Sequence, residues 1–118
     1  MAKKQLKVPR KVFANQAAFT EFVENEKEWM YNRIVEAIGV AFNSGKTKAF
    51  ILEAKLEDSM SLFNVDSTND EWEYSLSLAL DYNTAKENYE KCSDILKLMK
   101  SIRAASENSE TKSDKVDE

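Results

Sequence analysis

Two glycines, Gly39 and Gly45, and a single proline, Pro9, are all that punctuate 118 residues, and this scarcity narrows the fold more than any motif does. Tight turns rely on the backbone geometries that glycine and proline supply. A loop-rich sandwich is therefore disfavoured and long uninterrupted helices are favoured. The expected fold class is all-α, a small bundle of about four helices with one long N-terminal helix. The alternative is α+β, with the long helix, a two-stranded hairpin and a C-terminal helix. The length suits one domain with a modest core.

Between Asn15 and Asn43 the apolar residues Phe19, Phe22, Trp29, Met30, Ile34 and Ile38 recur three or four apart, with Glu24, Glu26, Lys27 and Glu28 opposite. That is helical spacing. Asn15 suits an N-cap and Asn43–Gly45 a stop, giving a helix about 40 Å long. The following Ser44–Phe50, "SGKTKAF", has the look of the end of a phosphate-binding loop, but Val40 stands where that motif requires glycine. The preceding segment is also a helix rather than a strand. A helix C-terminus with a nearby lysine is the expectation there, not nucleotide binding.

Two segments admit either period. In residues 46–65 a helix would align Ala49, Leu52, Leu56, Met60 and Phe63, whereas a strand would alternate Phe50, Leu52, Ala54 and Leu56. Leucine, alanine, glutamate and lysine favour the helix intrinsically. From Trp72 to Tyr82 large side chains alternate as in a strand, yet Thr68 and Glu71 fit a capping box, and Asp70, Glu71 and Glu73 crowd acid into a first helical turn. The spacing predicts a helix to about Lys86, a turn at Glu87 and Asn88, and a second helix from Tyr89. The first of these would have two apolar faces, Trp72, Leu76 and Leu80 on one and Tyr74, Leu78 and Tyr82 on the other.

The stretch "ALDYNTAKENYEKCSDILKLMKSI" resembles the helical hairpins of the UVR motif of excision-repair proteins and of tetratricopeptide repeats. Tyr89 follows the turn, Glu90 and the small Cys92 come next, and Ile95, Met99 and Ile102 continue the stripe. The likeness covers residues 70–103. Leu96 and Lys97 stand where the UVR motif carries an Arg-Asp pair, and there is no second repeat. What the resemblance implies is a helical hairpin and protein–protein contact. In overall style the chain also looks like small accessory proteins of tailed phages.

Charge is uneven within the net −4. Lys3, Lys4, Lys7, Arg10 and Lys11 precede any acidic residue, so residues 1–14 are expected to be a basic flexible arm able to contact nucleic-acid phosphates or an acidic partner. Residues 15–103 are expected to form a single helical domain. Residues 104–118 are nearly devoid of apolar side chains and are expected to be a disordered polar tail. No signal peptide, and no apolar run near the roughly 20 residues of a membrane span, is seen. With one cysteine there is no internal disulfide. A cytoplasmic location is expected, or a virion-associated one if the protein is phage-encoded, with no membrane partner.

The residue inventory argues against catalysis. There is no histidine, and Cys92 is a lone cysteine, which removes the usual general base and a thiolate metal site. Acidic clusters such as Glu53, Glu57 and Asp58 match ordinary helix surfaces, so no catalytic, metal or cofactor residue is assigned. The expected function is a non-enzymatic interaction module, a small accessory or assembly protein that binds a partner protein or itself. Trp29, Trp72, Tyr74, Tyr82 and Tyr89 are its candidate contacts, since large aromatics commonly anchor interfaces. The alternative is a nucleic-acid-associated factor using the basic arm.

Overall fold

The computed structural model describes residues 8–117, and their side chains through residue 106. It is α+β rather than all-α. The elements run β1 (Arg10–Phe13), α1 (Gln16–Asn25), α2 (Lys27–Asn43), β2 (Lys48–Leu56), β3 (Ser61–Thr68), a single 3-10 turn (Asn69–Glu71), α3 (Trp72–Ala85) and α4 (Tyr89–Asp117). The chain divides into two compact units after Trp72.

The first unit is built on a mixed sheet of order β1-β2-β3, with β1 parallel to β2 and β2 antiparallel to β3. Side chains alternate across a sheet. One face carries Phe13, Ala49, Leu52, Ala54 and Leu56, all buried. Helix α2 covers β2 and buries Met30, Ala37, Ile38 and Ala41. Phe13, Ala54 and Leu56 form a core cluster with Phe19, Phe22 and Phe63 packed against it.

The all-α expectation fails on β2, for an identifiable reason. A bulge sits between Phe50 and Leu52, so that Ile51 is an extra residue in the ladder. Ile51 and Leu52 are then both buried, and the alternation reads Ala49, Ile51, Leu52, Ala54, Leu56. A bulge of this kind shifts the parity of every residue beyond it. The period-two signal is broken within nine residues rich in helix formers, and long-range pairing overrides their propensity.

Two further differences and one agreement follow. Arg10–Phe13, within the expected arm, pairs with Glu53–Leu56. The expected long helix breaks at Glu26 (φ −110°, ψ 51°), whose N–H caps Phe22. The break sets Phe19 and Phe22 against Phe13 while α2 follows β2. The Asn15 cap is present as expected, its Oδ1 accepting from the Ala18 N–H at 2.9 Å.

The second unit is a helical hairpin. Helix α3 ends at Ala85 and α4 begins at Tyr89, with Glu87 left-handed (φ 62°) in the turn. The Thr84 hydroxyl lies 3.4 Å from the Cys92 sulfur near the turn, and Arg103 donates to Glu73 at 2.7 Å near the start of α3. Those two pairs fix an antiparallel arrangement. The buried stripe of α3 is Trp72, Leu76, Ala79 and Asn83, spaced four, three and four. Tyr74 and Leu78 are exposed, so the second apolar face is not covered. Helix α4 continues through the expected disordered tail to Asp117. No glycine or proline lies between Tyr89 and Asp117 to stop it.

Candidate interaction surface

The face of the sheet turned away from α2 is its open side. Three cross-strand rows lie on it: Phe50 beside Asp66, then Arg10, Glu53 and Asn64, then Val12, Lys55 and Leu62. Val12, Phe50 and Leu62 are 52, 42 and 53% exposed. Between them Arg10 Nε donates to Glu53 Oε1 at 2.9 Å. That hydrogen bond, and then the Glu53 charge, raises the Arg10 guanidinium above its ordinary pKa. Lys48 lies 6.0 Å from the Phe50 ring centroid. The surface therefore presents separated apolar side chains in a frame of mixed charge, which suits a protein partner better than a uniform polyanion.

At the other side of β1 an aromatic corner forms. Phe13 meets Phe19 and Phe22 at 5.3 and 5.4 Å between centroids, Phe19 meets Phe63 at 5.4 Å, and Phe22 meets Trp29 at 5.5 Å. The Lys11 ammonium lies 4.9 Å from the Trp29 ring and 5.5 Å from Phe22, an arrangement favoured by the ring quadrupole.

The expected contacts do not converge. Trp72 is 3% exposed and its Nε1 donates to the Ser67 carbonyl at 3.0 Å, so it is a core residue rather than an anchor. Trp29 is half-buried in the aromatic corner. Tyr74 and Tyr89 are 69 and 64% exposed but stand near opposite ends of the hairpin. Tyr82 is half-buried beneath the Lys86 ammonium. Of the basic arm, Lys3, Lys4 and Lys7 lie outside the described residues. Arg10 and Lys11 sit in β1 with intramolecular partners. Two of the five cations expected for nucleic acid are thus engaged within the fold.

Ser44–Lys48 and Phe50 line a shallow open groove at the C-terminal end of α2. The Lys46 N–H donates to the Ala41 carbonyl and the Gly45 N–H to the Phe42 carbonyl, as a helix C-cap requires. The capping box does not form, because the Thr68 hydroxyl bonds Asp70 instead. Cys92 is buried. Among the described residues no three of His, Cys, Asp and Glu converge as a metal site would need, and no helix is long and apolar enough to cross a membrane.

Two features escape the sequence reading. One is the edge strand β3, whose signal was the alternation of Phe63 and Val65 with Asn64 and Asp66. The other is Arg33, which falls on the buried stripe of α2 with Met30, Ala37 and Ala41. Its Nε donates to the Ile51 carbonyl at 3.0 Å, Nη2 to the Phe50 carbonyl at 3.2 Å and Nη1 to Glu36 at 3.1 Å. The guanidinium satisfies the carbonyls of the bulge, and so holds the strand that carries Phe50 to the open face. Comparison with known proteins finds no family model matching the chain, and no significant match among curated proteins or solved structures.

Proposed function

We propose that the chain is a non-catalytic interaction module, a small accessory or assembly component that acts by binding a partner protein or a second copy of itself. The observation that supports this reading is the one-sided sheet. Its inner face buries a continuous set of side chains, while its outer face leaves Val12, Phe50 and Leu62 substantially in water. Strands pairing in parallel are ordinarily covered on both faces. An uncovered face on the β1–β2 pair is where a partner would lie.

The test is a triple variant, Val12→Thr, Phe50→Thr and Leu62→Thr, which keeps β-forming residues at exposed positions. The wild-type chain is expected to form a complex of fixed stoichiometry, with itself or with a protein captured from its native cell, by light scattering. The variant should lose that complex while keeping its circular dichroism. A variant that binds as well as wild type would remove the sheet face from the proposal. A wild type forming no stoichiometric complex would remove the proposal itself.

A further inference from the structure

The two edges of the sheet differ in a way that selects a partner. The β1 edge is short, four residues preceded by Pro9 and carrying Arg10 and Lys11. Short length, proline and positive charge are the usual means of blunting a strand edge. Strand β3 has eight residues, Ser61–Thr68, with no proline, lysine or arginine and only Asp66 charged. The bulge lies in β2, leaving β3 regular.

The hydrogen-bond pattern shows which backbone groups on that edge are free. Asn69 donates to the Thr47 carbonyl at 2.8 Å, so odd-numbered residues of the β3 side face β2. Independently, Glu53 donates to Pro9 and Glu57 to Phe13, turning the odd residues of β2 toward β1. That leaves Leu52, Ala54 and Leu56 to pair with Val65, Phe63 and Ser61. Both observations agree: the N–H and C=O groups of Leu62, Asn64 and Asp66 point away from the sheet. Strand β3 has a ladder on its β2 side alone, and among the described residues no turn or loop backbone bond reaches Leu62, Asn64 or Asp66.

Resting on the interaction reading above, we infer that the occupant of this edge is β3 of a second copy, added antiparallel about a two-fold axis at Asn64 to make one six-stranded sheet. A two-fold axis normal to the sheet keeps both covered faces on the same side, as the one-sided burial demands. Only registers whose paired residue numbers sum to an even value do this, and the free groups belong to even residues. The register centred on Asn64 meets both conditions and overlaps nearly the whole strand. It sets Phe63 against Val65 on the covered face, Leu62 against Asp66 on the open face and Asn64 against its copy. Asp66 meets no like charge, so nothing in the strand opposes self-pairing.

The test uses the full chain and the variant Asn64→Pro. Proline on an edge strand is tolerated where its missing N–H faces outward, as it does at Asn64, and it removes a central intermolecular donor. Light scattering across a concentration series is expected to give the wild type twice the 13.5 kDa of one chain at high concentration. The variant should stay at 13.5 kDa with unchanged circular dichroism. A dimer that survives Asn64→Pro excludes the β3 edge. Should the variant fail to fold, amide exchange on the wild type decides: Leu62, Asn64 and Asp66 must gain protection as concentration rises, and unchanged rates overturn the pairing. A wild type monomeric throughout overturns it as well, while partner capture by the sheet face is judged separately by the triple variant.

Discussion

Among the described residues, each unit buries one polar side chain that is held by side-chain hydrogen bonds, and the two do so at different sequence ranges. In the sheet unit it is Arg33, 7% exposed, which reaches 17 and 18 residues along the chain to the carbonyls of Phe50 and Ile51. In the hairpin unit it is Asn83, 2% exposed, which donates to Ala79 four residues back and accepts from Asn88 five residues on. A buried polar group is tolerated when its partners are in place. Arg33 joins a helix to a strand and carries charge, whereas Asn83 is neutral and ties one turn to itself. Losing the first should disturb tertiary structure, and losing the second should disturb mainly a local connection.

The largest expected effect therefore comes from Arg33→Ala, which takes the donor from one buried and one part-buried carbonyl and should cost about 2–5 kcal/mol in denaturant unfolding. Arg33→Lys should recover part of this, since an ammonium reaches one carbonyl but lacks the planar fork that spans both. Glu36→Gln should cost less than about 1 kcal/mol, because that carboxylate is 55% exposed and screened. If Arg33→Ala proved no worse than Glu36→Gln, the bulge would not depend on the guanidinium.

Asn83→Ala comes next, with an expected loss of roughly 1–3 kcal/mol, much of it from the Asn88 amide left without its acceptor. A double-mutant cycle with Asn88→Ala isolates that term: the second substitution should add little once the first is made. Additive losses would mean that the two amides act independently, and the local character assigned to the hairpin would be wrong.

The same contrast explains what could be read in the residues. Trp72, Leu76, Ala79 and Asn83 keep an undisturbed helical spacing, and the turn at Glu87 and Asn88 interrupts it at one place. The hairpin was accordingly legible, including its restart at Tyr89. The sheet was not. Its central strand has a parity shift at Ile51, β1 is four residues long inside a basic run, and β3 depends on pairing with residues that the local sequence does not specify. The Glu26 break carries no glycine or proline to announce it. The candidate surface shared that fate, because Phe50 is exposed and Ile51 buried only once the bulge exists. Trp72 shows the converse: a large aromatic is an anchor or a core residue according to burial, which no local pattern encodes.

The smallest expected effect compares left-handed positions in the two units. Gly45 (φ 73°), which follows α2, has the residue that the geometry favours, while Glu87 (φ 62°), which follows α3, does not. The bonds around Glu87 are those of a helix C-terminal motif: Asn88 donates to the Asn83 carbonyl at 2.9 Å and Glu87 to Thr84 at 3.0 Å. A side chain in this conformation costs roughly 1 kcal/mol, and glycine loses part of that gain to its freer unfolded chain. Glu87→Gly should thus stabilise by about 0.5 kcal/mol, and Gly45→Ala should destabilise by about 1 kcal/mol. The Gly45 site has no atom within 4 Å of an added Cβ, so backbone strain rather than a clash would be responsible. Opposite signs from matched unfolding curves would establish that both turns are set by the same backbone geometry. If Glu87→Gly destabilised the chain instead, the Glu87 side chain would be contributing something beyond its backbone.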